Sequence, residues 1–145
     1  MFTTQYDVII DDINPDQIKP VLQQGIRHFN YPFFGEYKLQ RVAIYINNDM
    51  SEIIAGIYGF ILEKHKTIRL ELVWVQEEYR RCGIGTQLFN KLEIYALSKN
   101  CDCIQVSTME FQGTSFYQKM GYSLVGTIPK WFCNRDEHFF IKKIS

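Results

Sequence analysis

Arg80-Arg81-Cys82-Gly83-Ile84-Gly85-Thr86 is the stretch on which the fold reading turns. Before it, Thr67 to Val75 reads as a strand. After it, Ile84, Leu88, Leu92 and Tyr95 recur four, four and three residues apart, the spacing of one helix face, which predicts a helix over residues 83–98. A strand that feeds a helix through glycines makes a cradle for an anion. Glycines let several backbone N–H groups converge, and the first helical turn presents unpaired donors at the positive end of its dipole. Arg80 and Arg81 add side-chain charge and Thr86 adds a hydroxyl, so the turn suits a pyrophosphate. The competing reading of Gly83 and Gly85 is close packing of a helix on a sheet. Two phosphate loops are excluded: a P-loop needs Lys-Ser or Lys-Thr where Thr86-Gln87 stands, and a dinucleotide fingerprint needs a third glycine where Leu88 stands.

Working outward, Arg41 to Asn47, Ile53 to Glu63 and Thr67 to Val75 read as an antiparallel meander, broken at Asn47-Asn48-Asp49 and Lys64-His65-Lys66. Cys103-Ile104-Gln105-Val106 alternates and is short, so it can return parallel to the strand before the helix, giving a β-α-β crossover. A shorter helix is expected to stop at Gly121, followed by strands over Tyr122 to Thr127 and Glu137 to Lys143. Upstream, Tyr6 to Ile10 alternates as a first strand, and Asn14-Pro15 starts a helix expected to run to about His28. Asn30-Tyr31-Pro32-Phe33-Phe34-Gly35 reads as an aromatic loop. The expectation is a single domain over residues 1–145, of α/β (α+β) class. It has a central mixed, mostly antiparallel twisted sheet of about seven strands flanked by helices.

Composition narrows the function classes. The chain has 145 residues, 46% of them hydrophobic and 22% charged, as expected for one globular domain. Sixteen Lys plus Arg balance sixteen Asp plus Glu, so no global cationic field points to nucleic acid. The absence of an export signal or a long apolar run makes a cytoplasmic location the expectation, with no membrane partner. Cys82, Cys101, Cys103 and Cys133 are then expected as free thiols. Cys101-Asp102-Cys103 is half of a metal site without its other half, and His28, His65 and His138 fall on separate elements, so no metal is expected. Cys82 lies beside arginines near a helix start, but its place in the motif reads as incidental.

Arg80-Arg81-Cys82-Gly83-Ile84-Gly85 matches Gln or Arg, two residues, Gly, one residue, then Gly or Ala, and so resembles the signature of the GNAT superfamily of acyl-CoA-dependent N-acyltransferases. Phe116-Tyr117-Gln118-Lys119-Met120-Gly121-Tyr122 is similar to that family's helix carrying a tyrosine and ending in Gly-Phe or Gly-Tyr. Glu110 to Tyr117 resembles a subgroup with Phe-Gln-Ala before Phe-Tyr, with Gly113 in place of the alanine, which suggests a later or looser helix start. The resemblance covers the order of elements along nearly the whole chain. It implies a GNAT-like fold with a splay between the fourth and fifth strands, counted from Tyr6, and acetyl-CoA as co-substrate.

It further implies an N-acetyltransferase moving the acetyl group to a primary amine by direct attack in a ternary complex. The alternative is a non-catalytic acyl-CoA-binding sensor. A free alkylamine has a pKa of about 10.4 and must lose a proton before attack. Glu71 is the candidate base, on a strand whose alternation sets it on one face with Val73 and Val75; its other reading is a partner for Arg69 or Arg41. The resemblance places the acetyl carbonyl near the Val75 amide and makes Tyr117 the acid for the departing thiolate, against a packing role between Phe116 and Tyr122. The implied cofactor-binding set is Val73, Trp74, Val75, Arg80, Arg81, Cys82, Gly83, Ile84, Gly85, Thr86, Gln112, Ser115 and Tyr117, with Gln112 alternatively bracing its loop. Tyr31, Phe34 and Trp131 are candidates for the acceptor, which is a small-molecule, peptide or protein amine. The exposed edge of a final strand suggests a homodimer seam.

Overall fold

The computed structural model describes residues 5–145. They fall into two units, one ending at Tyr37 and the other Lys38–Ser145. In the first, Pro15 opens a 3-10 turn, Pro15–Ile18, which runs into helix α1, Lys19–Phe34. Asn14 stands at the cap position without a side-chain bond. Asp11 ties the segment before the turn, accepting the Asn14 amide at 2.9 Å, the Gln17 side-chain amide and the Ile13 amide at 3.1 Å, and these bonds hold its carboxyl below the usual range.

Two expectations fail in this unit. Tyr6 to Ile10 forms no strand, because alternation supplies a face but not a partner, and the described residues of the unit contain no second strand to complete a ladder. The helix also continues past His28 through Pro32 to Phe34, so Tyr31 and Phe34 are helical rather than in a loop. Proline removes one intrahelical bond. The turns already formed carry the helix across it, and the stop comes at Gly35, where φ is 64° and the amide bonds the Tyr31 carbonyl at 2.8 Å.

The second unit holds a six-stranded sheet instead of about seven: β1 Gln40–Asn47, β2 Ile53–Leu62, β3 Thr67–Val75, β4 Cys103–Met109, β5 Ser123–Phe132 and β6 Arg135–Lys143. Helix α2, Ile84–Ser98, joins β3 to β4, and α3, Thr114–Lys119, joins β4 to β5. The order across the sheet is β1-β2-β3-β4-β6-β5, with β3 and β4 parallel and the other pairs antiparallel. Leu88, Phe89, Leu92 and Ala96 of α2 pack with Ala55, Ile57, Ile61, Ile68, Leu70, Ile104, Val106 and Phe140 of the strands. Burial of each large side chain on that helix contributes on the order of 2 kcal/mol. Gly121, at φ 87°, lies just beyond the end of α3, as a left-handed stop residue should.

Two irregularities in β3 shape its far end. The register against β2 slips so that Leu70 faces Gly59 and Leu72 faces Tyr58, leaving Glu71 as an extra residue. Ile68 and Leu70 point into the core before this bulge, and Val73 and Val75 pack against the core after it. The expected sharing of one face by Glu71 and Val73 is thereby broken. In addition, β3 pairs with β4 only from Thr67 to Arg69, against Cys103 to Gln105, although both strands continue further.

Candidate active site

Beyond Val75 the chain makes a 3-10 turn, Glu77–Tyr79, and then the glycine turn. Arg81 (φ 61°) and Gly83 (φ 79°) both occupy the left-handed region, reversing the chain so that α2 starts at Ile84. Gly83 is the N-cap and contributes no side-chain bond. The first backbone bond into the helix runs from the Gln87 amide to the Gly83 carbonyl at 3.0 Å, which leaves the Ile84, Gly85 and Thr86 amides without intrahelical acceptors. A Cβ built on Gly83 meets nothing within 4 Å, so the turn opens onto space.

Both readings of the glycines find support, one at each position. Gly83 is conformational and open. Gly85 is packed, because a Cβ there would lie 3.2 Å from the Phe116 ring of α3. The two arginines also differ from the expectation of a pair aimed at phosphate. Arg80 donates through Nε to the Val75 carbonyl at 2.9 Å, bracing the turn against the end of β3, while Arg81 is exposed. The Cys82 thiol is exposed and donates weakly to the Arg80 carbonyl at 3.4 Å. Thr86 is exposed in the first helical turn.

The direction of the β3 amides follows from the register. The Gln76 amide bonds the Ile54 carbonyl at 2.8 Å, which makes Ala55 and Val75 a non-hydrogen-bonded pair. The Val75 N–H therefore points away from β2, toward the edge of β3 that β4 leaves after Arg69. By the same alternation the Val73 N–H points there too, whereas the Trp74 side chain stands half exposed on the opposite face.

Tyr117 lies on α3, only 4% exposed, with its ring against Phe89, Phe116, Tyr122 and Phe140 at centroid distances of 5.5 to 5.7 Å. Burial pushes its phenol up to about 12, so it is a proton donor in form and not an anion. Burial raises the Tyr122 phenol as well, and the buried Tyr122 hydroxyl has no hydrogen-bond partner among the described residues. Gln112 braces its loop, accepting the Met109 amide at 2.9 Å, and Ser115 is exposed on α3.

Glu71 faces the side of the sheet away from α2, where it accepts from Arg41 at 2.7 Å. That guanidinium lies over the Tyr58 and Phe60 rings at 5.7 and 5.4 Å, and the bond to Glu71 raises its pKa. Trp131 lies on a strand: β5 extends to Phe132, and the reversal falls on Cys133 and Asn134 at φ 47° and 57°. It is exposed with its ring 5.6 Å from Phe132. Tyr31 and Phe34 belong to the first unit. Among the described residues no three His, Cys, Asp or Glu side chains form a group able to hold a metal, and no helix is long and apolar enough to cross a membrane.

One residue escaped the sequence reading. Thr108 is buried on the core face of β4, and its hydroxyl accepts the Gly113 amide at 3.1 Å and lies 3.3 Å from Gln112 Oε1. Its signal was parity, since it follows Ile104 and Val106 at the strand period of two.

Comparison with known proteins agrees with this architecture. A family model described as Acetyltransferase (GNAT) family matches residues 7–122, a span that includes parts of both units. Blasticidin-S acetyltransferase of Streptomyces morookaense is 29% identical over 114 residues, covering 78% of this chain and 82% of its own. A crystal structure of an acetyltransferase from Bacillus cereus superposes with a TM-score of 0.79 at 25% identity, covering 96% of this chain and 97% of its own. An aminoglycoside 6'-N-acetyltransferase complexed with coenzyme A superposes with a TM-score of 0.64 at 18% identity, over 93% of each chain.

Proposed function

Because this chain belongs to the GNAT acetyltransferase family, we propose that it acetylates a primary amine by direct attack of that amine on the thioester of acetyl-CoA in a ternary complex. The protein is an acyltransferase, and acetyl-CoA is its co-substrate. The observation that carries the binding half is the open turn at Gly83, where left-handed backbone, three amides without intrahelical acceptors and the positive end of α2 coincide. Its residues fit a diphosphate: Gly83 leaves room, Ile84, Gly85 and Thr86 supply amides, and Arg81 supplies charge.

The Val75 amide, directed to the edge that β4 vacates, takes the role of oxyanion donor in this reading. The short pairing of β3 with β4 supports a splay between these strands, into which the Val73 and Val75 amides point. Tyr117 then donates its phenol hydrogen to the departing thiolate; burial keeps it neutral and, by raising its pKa to about 12, makes it a weak acid that acts chiefly through a hydrogen bond. Glu71, bound to Arg41 on the face of the sheet away from α2, takes the proton of the ammonium through water in this reading, because the bulge has removed it from the face of Val73 and Val75. Trp131 on β5 is the proposed acceptor contact in the second unit.

The similarity to a blasticidin-S acetyltransferase favours a small-molecule amine as the acceptor. The test incubates the protein and acetyl-CoA with blasticidin S, an aminoglycoside, lysine and a peptide with a free N-terminus, and follows acetamide by mass spectrometry. Acetylation of one amine class is expected. Acetyl-CoA binding with no acetylated product from any of them would contradict the reading. Tyr117→Phe should lower kcat about 100-fold while the KM for acetyl-CoA changes less than about threefold. Equal losses in both would remove the acid role.

A further inference from the structure

The turn between β4 and α3 is built around one ring. A Cβ placed on Gly113 would lie 3.2 Å from Tyr117 Cδ2, a tight contact, and 2.7 Å from Cε2, a distance that side-chain carbons do not tolerate. The aromatic ring therefore rests against the bare Cα of Gly113, one helical turn earlier. The Gly113 backbone is in turn pinned from below. Its amide donates to the buried Thr108 hydroxyl at 3.1 Å, and its carbonyl accepts the Tyr117 amide at 2.9 Å. The Thr108 hydroxyl has one proton, which Gln112 Oε1 can accept at 3.3 Å. Gln112 Oε1 also accepts the Met109 amide at 2.9 Å, closing the loop back onto the end of β4.

A buried hydroxyl that both donates and accepts is specific in direction, and removing it takes from the half-buried Gly113 amide the acceptor that fixes it. The opposite side of the ring is closed by Phe89, Tyr122 and Phe140. The ring cannot move away from Gly113 without displacing the core. Its position is thus set between a wall of aromatic side chains and a seat with no side chain.

We propose that Thr108 and Gly113 are positioning residues for Tyr117: the Thr108 hydroxyl latches the turn, and Gly113 provides the flat seat that aims the phenol at the departing thiolate. The inference rests on Tyr117 acting as the acid. It replaces the expectation that glycine at 113 merely loosens the start of α3 with a steric requirement for the absence of a methyl group. Tyr117 accordingly depends on residues that themselves touch neither substrate.

Two measurements test it. With tyrosine 13C-labelled and the Tyr117 ring signals assigned by Tyr117→Phe, Gly113→Ala and Thr108→Val should both shift those signals, and Thr108→Ser should not. This readout needs no acceptor. Kinetically, Gly113→Ala should lower kcat 10- to 100-fold, as expected for a misplaced reacting group, and the KM for acetyl-CoA less than about threefold. The same change made in Tyr117→Phe should cost less than about twofold, because the phenol it would misplace is gone. An equal cost in both backgrounds, or ring signals that stay in place, would overturn the positioning role while leaving the acid role standing. Unchanged turnover in Tyr117→Phe alone would overturn both. Should Gly113→Ala fail to fold, the Thr108→Val and Thr108→Ser pair decides by the same criteria.

Discussion

The turn from β3 to α2 and the turn from β4 to α3 share a grammar, strand then glycine then helix, and use it in opposite ways. At Gly83 the missing side chain leaves open space and permits a left-handed backbone, so the amides of α2 face outward. At Gly113 the missing side chain is filled by the ring of Tyr117, on an ordinary negative φ of −96°. One turn makes room for a ligand and the other seats a side chain. The comparison teaches that a glycine before a helix says little about purpose until what stands beside it is known.

The difference can be broken most sharply at the open turn. Gly83→Asp would force a side chain onto a φ of 79° and set a carboxylate at the start of α2, where an anion is to bind. Its affinity for coenzyme A should fall at least about 100-fold, roughly 2.7 kcal/mol. Titration calorimetry measures this, and unchanged affinity would deny the turn its binding role.

A smaller effect sharpens the closed turn. Burial raises the Tyr117 phenol to about 12, above its ordinary value near 10. The unfolded chain then releases its proton first as pH rises, so the stability that this neutral ring confers is complete below about pH 10 and is lost through about pH 12. The slope is up to about 1.4 kcal/mol per pH unit, with Tyr122 acting in the same direction. Tyr117→Phe should flatten the alkaline limb of a denaturant-stability profile, and an identical limb would show that the ring is solvated. The smallest change is expected for Gly85→Ala. Its methyl group must push the Phe116 ring from 3.2 Å, but alanine favours the helix, so stability should stay within about 1 kcal/mol of the parent.

Much of this was legible because periodicity and turn chemistry agreed. The meander, the crossover through α2 and the stop at Gly121 all follow from residues whose apolar spacing and punctuation point the same way. The bulge at Glu71 was hidden because Leu72-Val73-Trp74-Val75 is apolar at every position, and a one-residue slip leaves no trace in such a run. The face of Glu71 was lost for that reason, although Arg41 was one of its two expected partners. In the first unit, Pro32 read as a break and Tyr6 to Ile10 read as a strand, because proline statistics and alternation are local signals, whereas continuing a helix or completing a ladder is not. The seat under Tyr117 required a distance, and no spacing in the sequence reports that Gly113 touches a ring four residues on.

The claim that most depends on the open turn is that its amides hold a diphosphate, and calorimetry with acetyl-CoA and with S-acetylpantetheine, which carries the same thioester without the diphosphate, tests it directly. Saturable heat is expected with acetyl-CoA, and affinity for S-acetylpantetheine at least about 100-fold weaker, the loss that follows when charge-assisted bonds to the phosphates are gone. Equal affinity for the two thioesters, or no heat with acetyl-CoA, would contradict it.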